Sequence, residues 1–383
     1  MSLRNIKNIT DRRNFIKKEK RIVFKAITCY PKEMEQAQTK NCENMIGAIQ
    51  VPVGVAGPLL IKGNSAKGKY FIPLSTTEGA LVASVNRGCK AITNSGGVVV
   101  KNEYVGMTRG SVFAVSDLSQ GFEFKKWLES YPADFSEICQ TTSRHLKILK
   151  IDSKVVGRNV FVRFYFDTLD AMGMNMVTLA VQKIIGFIEK HTDTKCISIA
   201  GNYDVDKKPS WQNFILGRGR QVWAEAVISD KEMKDTLKTT PDKIHKVCLN
   251  KCMLGSILSG PMGFNAHFAN IIAAVFLACG QDMAHVVEGS LGITSTEIID
   301  RKLYISIYLP DLPVGTVGGG TYLPSQKEML QLLGIFGGKG GENATAFAEI
   351  IGACVLAGEL SLLSSLAEGS LARAHMSLGR GGS

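Results

Sequence analysis

The stretch from Phe347 to Ala367 constrains this chain more than any other feature. It is long enough to cross a bilayer, which takes about 20 apolar residues. It also carries Glu349 and Glu359, and charges at mid-helix are expensive in lipid. The stretch is therefore expected to be a buried helix of a large core. A second apolar stretch, Ile271 to Cys279, is too short to span and takes the same reading. Composition agrees: 383 residues, 45% hydrophobic and 21% charged, suggest two or three domains with a sizeable core. Many of the 39 glycines sit in runs, which points to close backbone approach and unusual turns rather than linkers.

The net charge of +11 favours polyanionic partners. Part of it lies in Arg12, Arg13, Lys17, Lys18, Lys20 and Arg21, read as a solvated helix face. No zinc finger or RNA-binding motif accompanies that run, so nucleic acid is not expected. There are nine cysteines and no signal peptide before them, which suggests reduced thiols in a cytoplasm. His245, Cys248 and Cys252 offer only three ligands with no second cluster, so no metal is expected.

Periodicity gives a coarse map. The first 40 or so residues read as helical. Gln50 to Ile61 reads as strand and turn, Tyr70 to Leu74 as a strand, Thr76 to Ala91 as a helix. From Ser111 to Ser198 strands alternate with helices: strands at Val112–Val115, Asn159–Phe166 and Cys196–Ala200, helices at Phe122–Glu129 and Asn175–His191, and Thr141–Lys150 entering a strand. That alternation suggests a compact α/β insert. Later strands are expected at Gln221–Val227 and Leu303–Tyr308.

One motif is a decoy. Gly63 to Lys69 spells the opening of a phosphate-binding P-loop, but Tyr70 stands where Ser or Thr is needed. It also leads into a strand, so it reads as a hairpin turn. No GxGxxG opens a βαβ unit, which leaves an ordinary Rossmann site unsupported.

Other segments carry chemistry beside a plain structural reading. Asp170-Ala-Met-Gly-Met-Asn175 lies between a strand and a helix; Asp170 can cap the helix or face a ligand, and a helix amino terminus favours phosphate. Asp206-Lys207-Lys208-Pro209 is a charged turn, or Lys207 is an electrophile stabilising a carbonyl oxygen that gains charge on hydride addition. Glu78 is a first-turn carboxylate or a proton donor with raised pKa. Asp282, in an apolar helix, needs a cationic partner, and Lys207 would satisfy it. His375 near the chain end is an exposed histidine or an acid.

Together, and in order, these segments resemble the signatures of 3-hydroxy-3-methylglutaryl-coenzyme A (HMG-CoA) reductases, of the class found in eukaryotes and most archaea. The resemblance begins with Glu43 to Gly47 and Pro52 to Pro58. It continues with Thr76 to Gly79, Asn86 to Gly88, Met107 to Gly110, Asp170 to Met176, and Gly201 to Tyr203 with Asp206 to Pro209. Asn265 to His267, Gly280 to Asp282, Gly315 to Thr321, Ala357 to Leu362 and His375-Met376 complete it, from about Cys42 to Arg380.

The resemblance implies a large α/β (α+β) domain over 1–110 and 199–383, with the helical segment 1–40 at its start. A ferredoxin-like insert over 111–198 would bind NADPH. The reaction implied is a two-step reduction of HMG-CoA to mevalonate with release of CoA, in a cytoplasmic enzyme without a membrane anchor. Active sites would be shared across a homodimer, or a tetramer of such dimers. Lys207 would stabilise the oxyanion, Glu78 would donate a proton, Asp282 would tune both, and His375 would protonate the departing thiolate. Arg109, Asp206, Lys208, Lys251, His267 and Asn270 match substrate positions. Glu43, Asn44, Ser84, Asn86, Arg87, Ser361 and Arg380 match CoA positions. Ser143, Arg144, Asp170, Met172, Gly173, Met174 and Asn175 match cofactor positions.

Four departures accompany the match. Ala200 stands where the family usually has a serine, Leu169 replaces the usual glycine before Asp170, His145 replaces an aromatic, and Gly381 stands where animal relatives carry a regulatory serine. Two rival readings are a non-catalytic anion-binding protein and another acyl-CoA or aldehyde reductase. The first requires Glu78, Lys207, Asp282 and His375 all to be incidental; the second would be separated by a competing substrate series.

Overall fold

A computed structural model describes residues 3–130 and 132–369. The helix Glu342–Glu368 forms its axis. It is long and apolar enough to cross a membrane, yet most of its apolar window is buried inside the protein. Each of its two central carboxyl groups is enclosed by donors. Glu349 accepts the backbone N–H groups of Asn64, Ser65 and Ala66 at 2.6–3.1 Å and the Asn102 amide at 2.7 Å. Glu359 accepts the N–H groups of Ala266 and His267 and the Thr294 hydroxyl at 2.6–2.8 Å. Buried polar groups persist only when hydrogen-bonded in this way.

The turn around Glu349 is the P-loop decoy. It joins strands β1 (Val53–Lys62) and β2 (Lys67–Ser75), as its sequence context implied. The amides that a P-loop would turn on phosphate converge here on a side chain of the same molecule. A Cβ on Gly63 would lie 2.2 Å from Glu349 Oε2, so glycine is required. On another side the axial helix is crossed by Leu81–Asn94. A Cβ on Gly88 would lie 1.9 Å from the Ala357 carbonyl oxygen, which sets how closely the two helices approach.

The remaining strands are β3 (Val98–Ala114), β4 (Lys147–Val156), β5 (Asn159–Asp167), β6 (Lys195–Ser198), β7 (Arg218–Ile228), β8 (Gly263–Phe264), β9 (Gly292–Ile299) and β10 (Lys302–Leu312). The main sheet runs β2-β1-β3-β7-β10-β9-β8. Strand β3 belongs to two sheets. Val99–Gly106 pairs with β7, whereas Met107–Ala114 pairs with β5, with β4 beyond it and β6 on the other side. The handover is at Gly106, whose φ of 101 lies in the left-handed region. The second sheet has its own core, including Phe113, Phe124, Phe135, Phe164 and Val181, covered by helices Leu118–Leu128, Pro132–Thr142 and Met174–His191. The mixed α/β architecture expected from the sequence is present.

Several element expectations need correction. The helix expected from Thr76 starts at Leu81, because Ala80 is left-handed (φ 74) and stops helical pairing from running back. The Pro132–Thr142 helix was missed; Phe135 and Cys139, four residues apart, are its buried face. The Thr141–Lys150 strand therefore begins only at Lys147. In the first 40 residues one helix, Ile9–Lys20, exceeds two turns. Arg12, expected on a solvated face, is buried there, and donates to the carbonyls of Ile6, Lys7 and Met45. Lys17, Lys18 and Lys20 are exposed as expected.

Candidate active site

The loop before the helix Trp211–Leu216 carries three left-handed residues that are not glycine: Asn202, Val205 and Lys207, at φ 61, 52 and 57. Such conformations cost energy and persist only where neighbours impose them. Here they point Lys207 Nζ at Asp282 Oδ2, 2.7 Å away, with both side chains partly exposed. Asp282 is not inside a helix, as the sequence suggested. The apolar helix ends at Ala278, and Asp282 caps a short turn by accepting the Ala284 N–H at 3.0 Å. Partial burial pushes its carboxyl up. The hydrogen bonds from Lys207 and Ala284, with His285 beside it, outweigh this and hold it below the usual carboxylate range.

Behind this pair lies a buried charge network that sequence reasoning missed. Arg218, fully buried at the start of β7, donates to Glu288 at 2.6 Å, to Asp206 at 2.8 Å and to the Thr108 hydroxyl at 3.0 Å. Glu288 also accepts the backbone N–H of Lys207. The His285 ring lies 3.4 Å from Glu288 and 3.9 Å from both Asp206 and Asp282. Burial raises the Glu288 carboxyl, but His285 and Arg218 pull it down to about 2. Asp311, buried beside it, is pushed well up by burial and by that neighbouring charge. By spacing alone Asp206, His285 and Glu288 resemble a metal-ligand set, but the Arg218 guanidinium already supplies their cation. The signal available beforehand was the spacing of Asp282, His285 and Glu288, which puts three polar groups on one helical face.

Lys207, Asp282, Asp206 and Arg109 line one cavity of about 940 Å³, together with Met172 to Met176 and the glycine-rich loop 317–321. Arg109 is anchored by Asp204 at 3.3 Å and Thr178 at 2.8 Å. Gly173, at φ 89, starts the helix Met174–His191, and a Cβ there would lie 2.5 Å from Thr168. The free N–H groups of that helix start are a ready anion site.

Asp170, expected to face the cofactor, also has partners within the chain. Its carboxyl accepts the N–H groups of Lys339, Gly341 and Ala344 at 2.5–2.9 Å, which caps the axial helix. Ser143 and Arg144 sit in a turn away from this cavity, with Arg144 Nε 3.2 Å from His145.

A second cluster is separate. Glu78, exposed before its helix, accepts from Asn270 at 3.4 Å, and neither lines the cavity around Lys207. His267 lies nearby in sequence, with its backbone on Glu359. Two residues beyond Glu359, Ser361 is buried and bonds Ser84 at 2.9 Å and Arg87 at 2.6 and 3.0 Å. Asn86 accepts the Gly57 N–H at 2.9 Å. Glu43, Asn44, Lys208 and Lys251 are exposed, and Lys208 Nζ donates to the Asp206 carbonyl at 3.2 Å. His375, Arg380 and Gly381 lie outside the described residues.

The family model for hydroxymethylglutaryl-coenzyme A reductase matches residues 8–380. The chain belongs to that family. The 3-hydroxy-3-methylglutaryl-coenzyme A reductase of Methanocaldococcus jannaschii is 51% identical over 375 residues, covering 96% of this chain and 92% of its own. That of Aeropyrum pernix is 52% identical over 354 residues, 91% of this chain and 84% of its own. Among solved structures, the class II reductase of Streptococcus pneumoniae bound to NADPH in open conformations superposes with a TM-score of 0.68 at 18% identity. The superposition covers 94% of this chain and 98% of that one, and shows the shared fold.

Proposed function

We propose that this enzyme reduces HMG-CoA to mevalonate in two NADPH-dependent steps, releasing coenzyme A, with Lys207 at the centre of the chemistry. The observation that carries this reading is the 2.7 Å Lys207–Asp282 pair in a cavity that also holds a helix amino terminus. NADPH, when bound, supplies the hydride. The amides at Met174 and Asn175 and the space left by Gly173 suit its pyrophosphate. The cavity is within the size range of cofactor sites. Ser143 and Arg144 would take the 2′-phosphate, since arginine binds phosphate with charge and a planar fork.

Hydride addition leaves charge on the substrate oxygen, where the Lys207 ammonium stabilises it in both steps. Asp282 holds that ammonium in place. Glu78 donates the proton in the second step, and His375 protonates the departing thiolate. Arg109, Asp206, Lys208, Lys251, His267 and Asn270 hold the substrate. Glu43, Asn44, Ser84, Asn86, Arg87, Ser361 and Arg380 form the CoA side. Each site takes Glu78 from one copy and Lys207 from another, a reading supported by the fact that Glu78 is not among the residues lining the Lys207 cavity. The nine free cysteines fit a reducing cytoplasm.

The test is HMG-CoA-dependent oxidation of NADPH by the wild type and by Lys207→Met. Losing one positioned oxyanion donor costs about 10²–10³ in rate. Absent turnover in the wild type, or full turnover in the variant, overturns the reading.

A further inference from the structure

Lys207 is gripped at both ends by one short segment of chain. Its ammonium meets Asp282 at 2.7 Å, and its backbone N–H meets the carboxyl of Glu288. Asp282 caps the turn Met283–His285, and Glu288 lies in the turn Val286–Gly289 that follows it directly. The other oxygen of Glu288 accepts from Arg218 at 2.6 Å, and the second arm of Arg218 holds Asp206 at 2.8 Å. The strained residue, with φ 57, and its N-terminal neighbour are thus tied to the same buried pair. A left-handed lysine in a partly exposed loop needs such a constraint.

We propose that Glu288 is a positioning residue for the reaction: it fixes the Lys207 backbone, and through it the height of the ammonium above the substrate oxygen. The proposal rests on the reading of Lys207 as the oxyanion stabiliser. Glu288 touches no reacting atom, so its removal should lower kcat for both hydride steps by one common factor and leave KM nearly unchanged. A merely structural role would lower the folded fraction and melting temperature without that split.

The experiment uses the full-length enzyme. Glu288→Asp keeps a charge for Arg218 but is one methylene too short to reach both Arg218 and the Lys207 N–H. Misplacement of about 1 Å can cost roughly 10²-fold, so kcat for HMG-CoA and for mevaldehyde should fall together by about 10-fold or more, with KM for both substrates within about 3-fold of wild type. A second pair removes the buried cation: Arg218→Met/Glu288→Gln keeps an acceptor for the Lys207 N–H, and Arg218→Met/Glu288→Ala does not. The glutamine form should turn over faster, per folded molecule, by about 10-fold or more. Wild-type kcat in Glu288→Asp, or equal kcat in folded double variants, overturns the proposal. If Lys207→Met itself retains full turnover, the underlying reading has failed instead.

Discussion

At the scale of single residues, the candidate site around Lys207 is held by local strain set against buried charge. Asp282 shows how this depends on pH. Its folded carboxyl lies below the ordinary range, so its stabilisation is fully present above the unfolded value of about 4. It is lost as pH falls through the lower folded value. The melting temperatures of wild type and Asp282→Asn should therefore differ by a constant amount above about pH 5 and converge as the pH falls below the ordinary carboxylate range. A gap that persists at the lowest pH would contradict this account. Leu169 offers a simpler test of strain. It sits at φ 52 where the sequence resemblance expects glycine, against Gly341. Left-handed backbone costs a non-glycine residue about 1–2 kcal/mol, and glycine pays up to about 1 kcal/mol in entropy. Leu169→Gly should then change stability by less than about 1 kcal/mol in chemical denaturation. Leu169→Val, β-branched and worse in this conformation, should destabilise clearly.

At the scale of elements, the axial helix Glu342–Glu368 acts as a hub for distant loops. Glu349 alone satisfies three backbone donors of the β1–β2 turn and the Asn102 side chain. Each unsatisfied buried donor costs about 1–3 kcal/mol, so Glu349→Ala should lose several kcal/mol in urea denaturation. Glu349→Gln, which keeps one acceptor oxygen, should lose distinctly less. Equal losses would show that the side chain's volume, not its oxygens, is what the turn needs. The burial of this helix was legible in the sequence, because two carboxyl groups in an apolar run exclude lipid and demand partners. The partners themselves were not legible: Glu349 meets residues 283–285 positions away in the chain. The same limit applied at the site. The Lys207–Asp282 pairing was expected from a burial of Asp282 that the structure does not show, since both side chains are partly exposed. Arg218 and Glu288 were not expected, since a charge in a strand or a short turn is ordinary until folding removes its water. The partners of Asp170 were not legible either, because only the fold brings Lys339, Gly341 and Ala344 to it.

For the whole molecule, the decisive question is whether one chain suffices. Glu78 and Asn270 lie together, Lys207 and Asp282 lie together, and the two pairs do not share a cavity. If each site combines them across two copies, Glu78→Gln and Lys207→Met chains, each inactive alone, should regain activity when mixed under exchange conditions. In a mixed dimer one of two sites is intact, so a statistical mixture should recover about a quarter of wild-type activity, half of the dimers being mixed with half of their sites whole. No recovery despite verified subunit exchange would mean that one chain supplies both groups.

Strand β3 also sets the order in which the chain can be completed during synthesis. Its second half pairs with β5 and β6, which end at Ser198. Its first half has β1 beside its start from the beginning but waits on the other side for β7, which starts at Arg218, and β7 in turn waits for β10, which ends at Leu312. The axial helix that covers this sheet comes last, at Glu342–Glu368. A ribosome adds about 5–20 residues per second, so the smaller sheet can close seconds before its larger neighbour has all its strands. During that interval the half of β3 that pairs with β5 and β6 has all its strands, while the half that pairs with β7 still lacks one neighbour.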